Sequence, residues 1–168
     1  MRSEDGGESW QDRRPGAYAD CHALAGHAAT PNSLYEAAGG GYAESRDFGE
    51  SWDAADAGIE HHYVWGLTVD REDPTLLYVS AASGPGRAHG HGFSGAAIYR
   101  WRGGGRLESV VERLAEFPYA LVADPEMPGA LYAGFGDGSI VYSPDKGASW
   151  HEVAPLSGLD ALAVVVTS

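Results

Sequence analysis

Seven side chains spread along this sequence could act together on a ligand: His22, Tyr63, Trp65, Arg87, His89, Tyr119 and Asp160. They bring aromatic rings, imidazoles, a guanidinium and a carboxylate, a set suited to holding an anionic or carbohydrate group by stacking and hydrogen bonding. Glu60, Glu126 and Asp160 also offer acid/base chemistry beside the phenols of Tyr63 or Tyr119. That chemistry needs paired carboxyl groups about 5 to 9.5 Å apart. Cys21 precedes His22 and invites a thiol nucleophile, yet a lone cysteine ahead of an apolar strand is ordinarily a buried small hydrophobe. His61-His62 and His89-Gly90-His91 have no Cys or carboxylate at metal-ligand spacing. No metal and no cofactor is therefore expected, and solvated loop is the simpler reading. No Ser-His-Asp order or phosphate loop is visible.

Whether those residues meet depends on the elements that carry them, and the sequence is repetitive. One octapeptide, Ser-x-Asp-x-Gly-x-Ser-Trp, occurs three times without a mismatch, at Ser3 to Trp10, Ser45 to Trp52 and Ser143 to Trp150. A worn fourth copy aligns Tyr99 with Tyr142, Gly104 with Gly147, Leu107 with Trp150 and Val110 with Val153, with Arg102 in place of the Asp. Starts at 3, 45, 100 and 143 give spacings of 42, 55 and 43 residues, the length of a four-stranded propeller blade. The third unit carries about a dozen extra residues, which places a long loop there.

The octapeptide has a mechanical role. Asp5, Asp47 and Asp145 can accept hydrogen bonds from backbone N–H groups of a turn, and Gly7, Gly49 and Gly147 can adopt positive φ. Ser3, Ser45 and Ser143 can tie back to the backbone, while Trp10, Trp52 and Trp150 are large enough to fill the wedge between neighbouring blades. These carboxylates are read as structural rather than catalytic.

Upstream of each hairpin lie two short apolar runs around an Asp/Pro-rich turn, such as Trp65 to Asp70, Pro74 and Leu76 to Ser80. The pattern predicts an all-β chain, a β-propeller of about three complete blades with partial blades at both ends. Residues 1–14 are the last hairpin of one blade. Blades then cover 21–58, 62–115 with a long b–c loop at 81–95, and 118–156, and 159–168 is the first strand of another. Either the last strand closes a small four-unit ring or the chain is part of a larger six- or seven-bladed propeller. The larger propeller is preferred, because a closing blade would lack its second strand. An open arc exposes apolar faces, so self-association or completion by missing blades is expected.

This repeat resembles the BNR or Asp-box family of the sialidase-like superfamily, which includes glycoside hydrolases, sortilin-type receptors and photosystem II assembly propellers. The resemblance implies the fold over nearly the whole chain. It implies no activity, since the repeated motif lies away from the active sites of the enzymes that carry it, and the sialidase Phe/Tyr-Arg-Ile-Pro motif is absent. The expected function is a non-catalytic scaffold binding a protein, small-molecule or carbohydrate ligand. The alternative is a glycoside hydrolase-like enzyme or a fragment of one.

Strand alternation says where a site would be. The octapeptides are c–d turns, so the opposite mouth is rimmed by residues leading into strand a, and repeat alignment puts His22, Trp65, Tyr119 and Asp160 at equivalent positions. The long loop, with Arg87, His89 and His91, lies over the same mouth. Trp65 and Tyr119 also have a plain packing reading as inner-layer aromatics. The formal net charge of −13 repels phosphate backbones and anionic lipid, so neither nucleic acid nor a membrane is an expected partner. One cysteine in 168 residues permits no internal disulfide and favours the cytoplasm.

Overall fold

Alternating apolar residues bounded by Gly, Pro and Asp turns give twelve strands and one short helix in the computed structural model, which describes residues 1–153. The first sheet holds β1 (Cys21–Gly26), β2 (Leu34–Ala38), β3 (Gly41–Ser45) and β4 (Asp53–Ala54). The second holds β5 (Tyr63–Val69), β6 (Leu76–Ala82), β7 (Ala96–Arg102) and β8 (Glu108–Leu114), with α1 (Pro85–Ala88) between β6 and β7. The third holds β9 (Pro118–Ala123), β10 (Leu131–Phe135), β11 (Ile140–Ser143) and β12 (His151–Val153). Each sheet is an antiparallel meander with strands in sequence order. β5 lies against both β1 and β9, so the first strands of the three sheets are neighbours, as the inner strands of propeller blades are. No helix among the described residues is long and apolar enough to cross a membrane.

The cores lie between blades. β6 is buried at every position because its two faces enter different cores. Leu77, Val79 and Ala81 pack with Tyr35, Tyr42 and Trp101 against the first blade. Leu76 and Tyr78 pack with Leu131, Ala133 and Phe135 against the third. This explains an antiparallel strand that is apolar on both faces apart from Ser80, where one-sided burial would give strict alternation. The far face of the first blade is more open. Leu24, 63% exposed, and Phe48, 57% exposed, line a cleft of about 640 Å³ together with Trp52, Glu36 and residues of the first hairpin.

The octapeptide hairpins share one bonding scheme. Ser45 Oγ accepts the Gly49 N–H at 2.9 Å and donates to Asp47 Oδ1 at 2.8 Å. Asp47 in turn accepts the Ser51 N–H at 3.0 Å and its hydroxyl at 2.6 Å. The same bonds recur from Ser3 and Asp5 and from Ser143 and Asp145. The seventh position is serine because its hydroxyl fills the second carboxylate oxygen. Two successive residues turn left-handed, Phe48 and Gly49 at φ 61° and 82°, Lys146 and Gly147 at 62° and 83°. Gly103 and Gly104 repeat this at 55° and 69°, so the worn copy keeps the turn after losing its Asp.

The structure differs from the sequence expectations at the tryptophans, at Cys21 and in the long loop. Trp10 is 61% exposed and Trp52 is half-buried beside the open cleft, so neither fills a wedge, whereas Trp150 is half-buried and packs on the core between the second and third blades. The fully buried wedge is Leu107, 2% exposed, in the worn copy, where a smaller side chain fits completely between blades. Cys21 is exposed and unbonded to another cysteine, because strand β1 borders the open cleft. Residues 81 and 82 belong to β6, which shortens the connecting loop, and α1 gives that loop regular structure. Residues 1–14 pair at a single bridge, Arg2 with Gln11. Asp160 and the strand expected at 159–168 lie outside the described residues.

Candidate ligand-binding mouth

Each inner strand carries a register irregularity near the rim opposite the octapeptide turns: between Cys21 and Ala23, between Val64 and Leu67, and where Pro118 meets Phe135. Bulges at such positions re-aim side chains out of the ladder. At Gly66 the backbone N–H is met by the Ser80 hydroxyl at 2.9 Å, which leaves the flanking Trp65 free to turn toward the rim.

His22 from β1, Tyr63 and Trp65 from β5, and Tyr119 from β9 come together there, and His89 reaches them from the β6–β7 loop. The His22 and Trp65 rings are 4.4 Å apart, and His89 stands edge-on to Trp65 at 4.7 Å. Tyr119 is edge-on to Trp65 at 5.9 Å and stacked with His89 at 5.5 Å. His22 Nδ1 donates to the Val64 carbonyl at 2.7 Å, and its Nε2 faces Asp20 at 3.3 Å. His89 bridges the two phenols, with Nε2 2.7 Å from Tyr63 Oη and Nδ1 2.9 Å from Tyr119 Oη. Tyr119 also donates to the Ala88 carbonyl at 2.9 Å. Phe117, buried and packed edge-on to Tyr119, completes the floor. It carried no sequence signal beyond its place ahead of a strand.

The electrostatics favour binding over covalent chemistry. The Tyr63 phenol is pushed above its ordinary range first by desolvation and then by the Asp20 carboxylate. Tyr119 is pushed up by desolvation and by Glu116. Both therefore remain protonated donors. The Cys21 thiol is pushed up to about 11, by desolvation and then by Glu36, the reverse of an activated nucleophile.

Other candidates fall elsewhere. Arg87 is exposed and donates within its own loop to the Phe93 carbonyl at 3.2 Å. Glu126 lies in the β9–β10 turn, where its N–H is accepted by Asp124, and therefore on the rim shared with the octapeptides. Glu60 lines a separate polar cleft of about 360 Å³ with His61, Tyr99 and Glu112. His61 and His62 bond to the Gly95 carbonyl and to Asp56, and His91 is exposed. No group of three or more metal-ligating side chains occurs among the described residues.

An all-β chain of three four-stranded antiparallel blades, with a cluster where their inner strands converge, defines a β-propeller protein, and solved structures of that fold are similar to it. The GH74 xyloglucanase from Xanthomonas campestris is 23% identical over 87% of this chain and 22% of its own, with a TM-score of 0.63. YCF48 bound to D1 peptide is 13% identical over 83% of this chain and 41% of its own, at 0.61. The extracellular domain of BT4673 from B. thetaiotaomicron is 12% identical over 91% and 19%, at 0.62. The chain spans less than half the length of each of these. No family model matches it, and no curated protein sequence does.

Proposed function

We propose that this chain is a non-catalytic propeller scaffold whose mouth, opposite the octapeptide turns, binds a neutral ring-shaped ligand rich in hydroxyls, a carbohydrate. The single observation behind this reading is the cluster of Trp65, Tyr63, Tyr119, His22 and His89, drawn from three blades and one loop. Aromatic faces stack on the apolar side of a sugar ring, while phenol hydroxyls bond its hydroxyls. The anionic ligand loses support because Arg87 is held within its own loop. The hairpin bonding supports the Asp-box resemblance, and a xyloglucanase among the similar folds agrees with a sugar ligand.

A glycosidase reading is weaker. It needs paired carboxyl groups at the mouth, whereas Glu60 lines a separate cleft and Glu126 lies in the β9–β10 turn on the octapeptide rim. The open cleft on the first blade, with Leu24 and Phe48 exposed, supports association with further blades or a second copy.

The test is calorimetric titration with neutral oligosaccharides, xyloglucan and cello-oligosaccharides among them. Saturable binding weakened at least about tenfold by Trp65→Ala, a loss of roughly 1.4 kcal/mol, is the expected result. Binding that ignores Trp65, or none at all across the panel, would reject the carbohydrate assignment.

A further inference from the structure

The position of His89 carries more than its membership of the cluster. Its residue is exposed on a loop, yet both ring nitrogens are engaged, at 2.7 Å and 2.9 Å, by phenols from two different blades. The Tyr119 proton is committed to the Ala88 carbonyl, so Tyr119 Oη accepts from Nδ1–H. Nε2 of the neutral ring is then the acceptor of the Tyr63 proton. A small flat ring with one donating and one accepting edge therefore sits among Tyr63, Trp65, Phe117 and Tyr119 and bonds both phenols.

The loop that supplies this ring is lightly attached. It starts at Gly84 and Gly86, where a side chain would meet nothing within 4 Å, and Gly92 is equally open at φ 98°. Its far end is anchored by the Ser94 and Gly95 N–H groups on the carbonyls of Ala115 and Leu114. Between these ends, contact with the mouth is made through Ala88 and His89. The closed form also makes a demand on sequence: a Cβ on Gly90 would lie 2.2 Å from the Gly86 carbonyl oxygen. A residue without a side chain is required to hold His89 where it is.

We propose that the slot filled by His89 is the ring-binding subsite of the mouth, and that the loop over residues 83–95 is a lid holding its own imidazole there in the ligand's place. The inference rests on reading the cluster as a binding mouth. The ligand class is a neutral five- or six-membered ring with polar atoms on two edges, able to take over the Tyr63 and Tyr119 hydroxyls as the lid lifts about its glycines. The lid competes with the ligand, so loosening it strengthens binding.

Imidazole itself is the test molecule. His89→Gly is expected to take it up saturably, with a rise in Tm and reduced acrylamide quenching of tryptophan fluorescence, while the unaltered protein shows neither. Gly90→Ala, which keeps the imidazole side chain but crowds Gly86, is expected to raise quenching and to bind any oligosaccharide that binds the unaltered protein about tenfold more tightly. Imidazole uptake without oligosaccharide binding would uphold the subsite and reject the sugar. A folded His89→Gly chain that ignores imidazole would overturn the proposal. So would Gly90→Ala quenching equal to that of the unaltered protein, even where His89→Gly does not fold.

Discussion

The Asp70 carboxylate, in the β5–β6 turn of the second blade, accepts the backbone N–H of Gly129 in the third at 2.6 Å. Its other oxygen accepts the Glu72 and Asp73 N–H groups at 3.0 and 2.9 Å, so one buried side chain folds its own turn and fastens the next blade. Asp124 makes the same two bonds in its own turn, to Glu126 and Met127. Asp70→Ala should therefore cost about 3 kcal/mol and Asp124→Ala about 1 kcal/mol less, the difference being the cross-blade bond. Urea unfolding of both variants measures it, and equal losses would remove Asp70 from that role.

The octapeptide carboxylates give the chain a dependence on acid. Hydrogen bonds from the hydroxyl and N–H of Ser51 and then from Ser45 lower Asp47 from 3.8 to about 2. Asp5 is lowered to about 2 in the same way through Ser9. A lowered folded-state value means that the ionised form favours folding. The contribution is full above 3.8 and is lost as pH falls through about 2. The urea midpoint should therefore drop over that window, and Asp47→Asn should flatten the drop. An unchanged slope would show that these bonds do not couple to folding.

Repetition is what made the fold readable. The octapeptide states its own turn, since Ser45, Asp47, Gly49 and Ser51 satisfy one another within seven residues, and local bonding of that kind needs no tertiary context. Alternation then placed His22, Trp65 and Tyr119 on equivalent strands, and their rings do meet. Depth of burial was not legible. Trp150 stays half-buried while Leu107 at the matching position is enclosed, because the space between blades is set by both neighbours and not by the repeat. The bridge from His89 to Tyr63 and Tyr119 was also hidden, since it depends on how a glycine-rich loop folds back over two blades.

That contrast between Leu107 and the tryptophans ranks three substitutions. Leu107→Ala empties a closed site and should cost about 2 to 5 kcal/mol. Trp52→Ala and Trp150→Ala remove larger side chains that water already reaches, and should cost about 1 to 3 kcal/mol, because part of the ring surface is never withdrawn from solvent. Denaturant midpoints of the three variants decide the order. A larger loss at Trp52 than at Leu107 would mean that the cleft beside Trp52 closes in solution.

Arg87 and Tyr119 stand close to the same loop and should behave oppositely. Arg87 is exposed and its one described hydrogen bond stays inside the loop, to Phe93, so Arg87→Ala should change stability by less than about 0.5 kcal/mol and leave oligosaccharide affinity as it was. Tyr119→Phe keeps the ring but removes the hydroxyl that donates to Ala88 and accepts from His89. The loss leaves a carbonyl and an imidazole edge without their partner, a cost of about 1 to 3 kcal/mol. It also frees the loop, so hydrogen exchange at Ala88 and His89 should quicken while exchange in β9 and β10 stays slow. Protection unchanged at Ala88 would mean that packing of its side chain, not the phenol, holds the loop closed.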